Sequence, residues 1–248
     1  MTIKFWSFSS AQNYDKCPKI LEHRYVLKTP KDERDNSAAE RGTTMHKELE
    51  NYLASATGRC PMDPTDRAAI ASGTAYSPPI DPQQFKYEGL IGEIKELCTQ
   101  HPFTQEEMLY FDHNWEPVKS FNEAWLLMAM DVFISVSETE CIIVDWKSGK
   151  KEGNEVKHMH QGQLYALGAW KRNPNLKKFT VIFVYLDQGT KTVATWKQGH
   201  LERIFPVWDK KGKNITSATA FKPIPNKWSC KYCDYAMSCQ FAIKEGEI

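Results

Sequence analysis

The clearest hydrophobic pattern begins near Glu107, where the stretches EMLYFDHNW, AWLLMAMDVFISV and ECIIVDWKS read as three successive strands. A short polar turn around Ser137–Thr139 joins the last two, which predicts an antiparallel meander. EVKHMHQGQLYALGAWKR then follows with helical spacing, and KKFTVIFVYLD and TVATWK read as further strands. Upstream, Ser9 or Ser10 is placed to cap a helix running into NYDKCPKILEHRYVLK, with Pro18 interrupting it and the polar KTPKDERDNS following as a loop. From Ala38 to Ala56, Met45, Leu49, Tyr52 and Leu53 recur at helical spacing. Residues 57–82, rich in proline, read as a long loop before QQFKYEGLIGEIKELC returns to a helical period. Helix, three strands, helix and strand in that order predict an α/β fold, a mixed sheet flanked by helices, in a single domain over residues 1–248.

Composition narrows the classes. A chain of 248 residues with 41% hydrophobic side chains can bury a sizeable core. Thirty-two Lys and Arg against thirty-one Asp and Glu leave a formal charge of +1, so a polyanion would have to meet a local basic patch. No apolar run of about 18 residues occurs and MTIKFWSFSS lacks a signal-peptide profile. The expectation is a cytoplasmic protein with no membrane partner. Seven cysteines are an odd number for a disulfide framework; in a reducing compartment, clustered cysteines more often hold a metal or a cluster.

In CIIVDWKSGK, alternation puts Asp145 and Lys147 on one face of the strand and Val144 and Trp146 on the other. If Val136 and Cys141 flank the turn, the cross-strand partner of Asp145 is Asp131 or Val132. Asp131 has six apolar residues within three positions on either side, as in a strand buried on both faces, where a charge needs a partner. Two carboxylates about 5 Å apart repel unless a cation lies between them. Oxygen ligands suit Mg²⁺ or Mn²⁺, and a Lys two residues on can orient or deprotonate a water for attack on a phosphodiester. The competing reading is a solvated strand end at Asp145-Trp146-Lys147 and a polar residue on the wet sheet face at Asp131.

Asp131, Asp145, Trp146 and Lys147, followed by Ser148-Gly149-Lys150, resemble the D…D-x-K-[ST]-G-K signature of the PD-(D/E)XK nuclease superfamily, in particular its RecB-like branch. Arg41-Gly42-Thr43-Thr44-Met45-His46 resembles that family's R-G-x-x-x-H helix, and Gln161 to Tyr165 its Q-x-x-x-Y motif. The resemblance implies a restriction-endonuclease-like core in which His46, Asp131, Asp145 and the Trp146 carbonyl bind metal. Lys147 would handle the water, and Gln161 and Tyr165, which share a helix face, would support it. It also implies a Glu on the strand before the metal-binding Asp; Glu107 is the candidate, with Glu106 its neighbour. Residues 57–104 stay unmatched, as an insertion.

Cys230, Cys233 and Cys239 form C-x₂-C-x₅-C, three thiols in ten residues that need a fourth ligand. The arrangement resembles the iron-sulfur subgroup of RecB-like nucleases, including AddB-type and CRISPR-associated members, which implies Cys17 as that ligand and a cluster-binding part made of Cys17 and residues 226–241. Four thiolates suit a [4Fe-4S] cluster, with zinc as the alternative. Cys60, Cys98 and Cys141 are isolated and read as buried thiols.

The resulting expectation is a Mg²⁺- or Mn²⁺-dependent deoxyribonuclease, an exonuclease on single-stranded DNA or free DNA ends in repair, recombination or phage- or CRISPR-type processing. Arg41, Lys150 and Lys151 are the candidates for phosphate contacts. No G-x-x-x-x-G-K-[ST] loop is present, so any motor would come from a helicase or recombination partner. The rivals are a non-catalytic DNA-binding or recombination scaffold on the same fold, and a structure-specific endonuclease.

Overall fold

The computed structural model describes residues 2–33, 35–57 and 88–243. In chain order its elements are β1 (Trp6–Ser7), α1 (Phe8–Lys16), α2 (Lys19–Leu21) with a π-helical turn at Glu22–Leu27, α3 (Ser37–Thr57), α4 (Glu88–Gln100), β2 (Phe103–Phe111) and β3 (Pro117–Val118). There follow β4 (Leu126–Ser135), β5 (Glu140–Lys147), α5 (Glu155–Arg172), β6 (Lys178–Tyr185), β7 (Thr190–Lys197), α6 (Gln198–Thr216) and α7 (Lys227–Lys231). Among the described residues the strands form one seven-stranded sheet in the order β3-β2-β4-β5-β6-β7, with β1 pairing parallel to the start of β4. The β4–β5 and β6–β7 pairs are antiparallel and β5–β6 is parallel, so the sheet is mixed. No helix among the described residues is long and apolar enough to cross a membrane.

The chain divides into two compact units, one of Asn36–Leu109 with Met128–Arg203, the other of Met1–Asp35, Tyr110–Leu127 and Ile204–Ile248. In the first, β4 and β5 turn tightly through Val136–Thr139, where the Val136 and Ser137 N–H groups both donate to the Glu140 carbonyl. A parallel partner for β5 needs a crossover, and α5 supplies it before β6. Met45, Leu49 and Leu53 of α3, with Ile91, Ile94 and Cys98 of α4, pack on Val132, Ile134, Val144, Trp146, Ile182 and Val184. Phe183, of opposite alternation, lies under α5 instead, so the two helical layers cover opposite sheet faces. Gly162 sets the α5 approach: a Cβ there would come within 2.9 Å of Trp196 and 3.3 Å of Phe183. Truncating a core residue such as Leu49 to Ala would cost about 2–5 kcal/mol.

The β4 strand departs from one expectation. Met128, Met130, Val132 and Ile134 are buried, but Asp131 and Phe133 are half-buried and Ala129 and Ser135 exposed. The strand is closed on one face and open on the other, so Asp131 stands on the accessible face of the sheet.

In the second unit, Trp6, Trp115, Trp125 and Trp208 form the core. Trp6 meets Trp115 and Trp125 edge-on and stacks on Trp208 at 12°. Two polar edges are satisfied, Trp115 Nε1 donating to Asp209 and Trp125 Nε1 to Thr216, whereas Trp6 Nε1 is buried with no hydrogen-bond partner among the described residues. Gly212 is required where α6 crosses Trp6, since a Cβ would fall 2.5 Å from that ring. Sequence patterning does not announce α6, because Pro206 sits inside it and proline ordinarily ends a helix. Buried Leu201, Trp208 and Ile215, seven residues apart, are the signal that survives. At the other end, α1 is capped by Ser7, whose Oγ accepts the Ser10 N–H, and not by Ser9 or Ser10.

Candidate active site

The chemistry of the first unit converges on the end of the β4–β5 hairpin. The register Val132↔Val144 puts Asp131 across from Asp145. Asp145 is 2% exposed. Its Oδ1 accepts from the Tyr165 hydroxyl at 2.7 Å and from Gln161 Nε2 at 3.3 Å. Gln161 and Tyr165, one turn apart on α5, are themselves joined at 2.7 Å. Lys147 shares the Asp145 face, with its Nζ 2.5 Å from Asp145 Oδ2 and 3.0 Å from Gln161 Oε1. Although the ammonium is close, Oδ2 accepts no aligned hydrogen bond among the described residues. Burial pushes the Asp145 carboxyl pKa upward; Lys147 opposes that and the Asp131 charge adds to it.

Asp131 is held differently. Its Oδ2 accepts the Trp146 backbone N–H at 2.7 Å, so a side chain takes a donor on the neighbouring strand. Its Oδ1 lies 3.5 Å from His46 Nδ1. His46 comes from α3, which can pass close because Gly42 has no side chain: a Cβ there would lie 2.9 Å from Ser148 Oγ. Glu106, on β2, completes the group, and one ligand atom each from His46, Glu106 and Asp131 lie within 4.8 Å of one another. Glu106 as a whole is exposed, but partial desolvation of its carboxyl beside the other acids, then the Asp131 charge, raises its pKa to about 7. His46 also lies above its ordinary value: burial works against its charge, but its hydrogen bond to Asp131 and the surrounding carboxylates outweigh it. Acids with raised affinity for protons, beside a histidine, are a donor set that a divalent cation would satisfy. Asp145, ion-paired to Lys147 through Oδ2, lies beside this set.

The other sequence candidates are placed as follows. Of the two glutamates, Glu106 joins His46 and Asp131, while Glu107 accepts from Thr104 at 2.8 Å and pairs with Arg172 at 2.7 Å. Glu106 has a left-handed backbone, φ 48°, which breaks the alternation that would assign faces along β2. Arg41 makes a two-pronged ion pair with Asp187, through Nη1 at 3.0 Å and Nη2. The Lys151 N–H donates to Gln188 and the Lys150 carbonyl accepts from Asn154, leaving the Lys150 side chain exposed.

Sequence reasoning missed the support beneath Lys147. Its ammonium lies 5.7 Å above the Phe183 ring, which stacks on His158, whose Nδ1 is 2.9 Å from the Tyr185 hydroxyl. Burial, then the Lys147 charge, lowers the His158 pKa to about 4, so the ring is neutral. Its spacing of three from Gln161 on α5 was the available signal.

In the second unit Cys17, Cys230, Cys233 and Cys239 line one recess, together with Ile20, His23 and Ile224. None of the four is in a disulfide, and Cys17 Sγ accepts the Ile224 N–H at 3.3 Å. Cys98 and Cys141 are buried elsewhere, and burial pushes the Cys141 thiol up to about 12; Cys60 lies outside the described residues.

A model of the PD-(D/E)XK nuclease superfamily matches residues 5–240. Among solved structures, the protein SSO0001 is 13% identical, with a TM-score of 0.41, over 98% of this chain and 90% of its own. A candidate exonuclease from Eubacterium rectale is 9% identical, with a TM-score of 0.49, over 97% of this chain and 90% of its own. No curated protein matches the chain.

Proposed function

Because the chain belongs to the PD-(D/E)XK nuclease superfamily, whose members hydrolyse phosphodiester bonds, we propose that it is a Mg²⁺- or Mn²⁺-dependent deoxyribonuclease of the RecB-like branch, acting on DNA ends. The observation that carries the reading is the gathering of His46, Glu106 and Asp131 within 4.8 Å, beside the buried Asp145 and its ion pair with Lys147. His46, Glu106, Asp131 and Asp145 would hold the cation, with the Trp146 carbonyl as a further ligand. A bound divalent ion supplies charge stabilisation for the phosphoryl oxygens and acidifies a coordinated water.

The chain's own groups do the rest. Gln161 fixes Lys147 by accepting from its Nζ while donating to Asp145, so the ammonium is aimed without rotamer search. From there Lys147 orients the attacking water and offers positive charge to the developing phosphorane oxygens. Tyr165 locks the Asp145 carboxylate in the orientation that leaves Oδ2 outward from the hydroxyl. Glu106, whose pKa is raised to about 7, would hold the cation as its carboxylate. Arg41 and Lys150 are exposed cations on the surface of the same unit, and with Lys151 they are the candidates for the phosphate backbone.

For the second unit we propose a [4Fe-4S] cluster, with zinc as the alternative, held by Cys17, Cys230, Cys233 and Cys239. The support is that thiols more than 200 residues apart in sequence line one recess without a disulfide. Purified anaerobically, the protein would be brown, with about four irons per chain; stoichiometric zinc and no iron would assign the alternative.

The test of function is incubation with end-labelled linear and circular DNA, single- and double-stranded, in Mg²⁺, Mn²⁺ or EDTA. The reading expects metal-dependent loss of label from linear DNA and sparing of circles. Cutting of circles would assign the endonuclease reading, and DNA binding with no cleavage under either metal the scaffold reading.

A further inference from the structure

The short helix α7 is two-sided. Ser229, Cys230 and, just beyond it, Cys233 line the thiol recess. Trp228 and Tyr232, four residues apart, point the other way and are 73% and 59% exposed, although large aromatic side chains are ordinarily covered. Their rings lie nearly parallel, at 11°, with centroids 6.5 Å apart. Lys222, Lys227 and Lys231 are exposed in the same stretch of chain, Lys231 Nζ lies 6.0 Å from the Tyr232 ring centre, and no acidic side chain occurs from Lys222 to Cys233. The next acid, Asp234, is paired with Lys31 at 2.8 Å.

We propose that Trp228 and Tyr232 form a stacking platform for single-stranded nucleic acid, with Lys222, Lys227 and Lys231 facing its phosphates. Aligned, exposed π-faces between lysines are the pattern by which unpaired bases are held without sequence preference. A duplex hides its base faces in the stack, so the platform selects single strands. A protein partner would need complementary acidic residues around an apolar contact; a single strand supplies both, the charge from its phosphates and the aromatic faces from its bases. The proposal rests on the nuclease reading only in making the ligand the substrate.

The test uses the full chain carrying Asp145→Asn, so that DNA is not consumed, with fluorescein-labelled oligo-dT and a blunt duplex as probes. Trp228→Ala and Tyr232→Ala should each weaken oligo-dT binding on the order of tenfold, with Trp228→Phe keeping most of the affinity. Lys227→Ala with Lys231→Ala should flatten the salt dependence by about 0.7 per lysine on a log–log plot. Both aromatics are exposed, so thermal midpoints should stay at the parent value, which separates lost contact from lost fold. Unchanged oligo-dT affinity in the two alanine variants, while the wild-type chain cleaves DNA, overturns the platform and leaves the nuclease reading standing. Equal losses for oligo-dT and duplex overturn the single-strand assignment. A parent that binds neither probe, together with a wild-type chain that does not cleave, overturns both. If the alanine variants instead lose only a protein that co-purifies with the chain, the platform is a protein-docking surface and the proposal fails.

Discussion

The hairpin site and the thiol recess are both clusters of reactive side chains drawn from distant parts of the sequence, but they are held in opposite ways. At the hairpin, Asp145, Lys147, Gln161 and Tyr165 hang from an eight-residue strand and an eighteen-residue helix and satisfy one another. Around the recess the elements are a three-residue helix, a π-helical turn and a five-residue helix, which have little regular backbone to lock them. A site of the first kind is held by the fold; a site of the second kind holds the fold, because ligation there is folding energy.

That contrast breaks most plainly at Asp145. Asp145→Asn keeps the shape and the Tyr165 contact but removes the buried charge, and should lower the DNA cleavage rate by about 10³-fold or more. Its thermal midpoint should move by no more than a few degrees, since the substitution also relieves a desolvated carboxylate. A variant with near wild-type turnover would remove Asp145 from the chemistry. Cys233→Ser should give the reverse: loss of bound iron and a midpoint lower by roughly 10 °C, at about 2–4 °C per kcal/mol for a chain of this size. Cleavage per folded molecule should persist. If it vanished in protein that is still fully folded, the recess would have a part in the reaction beyond clamping.

Smaller effects sharpen the same comparison. Gly162→Ala drives a methyl into Trp196 and Phe183, which are rigid rings, and should cost about 1–3 kcal/mol in urea unfolding. It should also slow cleavage, because α5 carries Gln161 and Tyr165. Gly42→Ala should cost less, as Ser148 Oγ can rotate away; a larger loss at Gly42 would mean that the α3 approach is the more tightly built. The last effect leaves stability at neutral pH untouched and appears only in acid. His158 has a folded pKa near 4, below the ordinary 6.5, so the unfolded chain binds its proton first as pH falls. Its contribution to stability is therefore whole above about pH 6.5 and lost progressively from there toward pH 4, by at most about 1.4 kcal/mol per unit. His158→Gln should flatten urea midpoints across that window, and an unaltered slope would contradict it.

Much of this could be read from the residues, and the failures have physical causes. The hairpin was legible because a period of two and a polar turn fix register, leaving only Asp131 or Val132 opposite Asp145. The α5 helix was legible because its apolar face is unbroken from Leu164 to Ala169. The choice of Glu106 over Glu107 was not, since one left-handed residue cancels alternation, a backbone event with no local signature in a non-glycine residue. Helix α6 was hidden by Pro206, and the tryptophan core by residues spread from Trp6 to Trp208, whose meeting depends on tertiary structure. His158 carries no signal of its role in the sequence, because Tyr185 and Phe183 reach it only through tertiary structure.

The most direct test of the central claim is a Mn²⁺ titration of the full chain, followed by electron paramagnetic resonance and compared with Glu106→Gln and Asp131→Asn. The account predicts saturable Mn²⁺ binding by the wild-type chain, weakened at least tenfold in each variant at unchanged thermal midpoint, with DNA cleavage saturating over the same Mn²⁺ range. Equal Mn²⁺ affinity in wild type and both variants, or cleavage undiminished after Mn²⁺ and Mg²⁺ are removed, would contradict it.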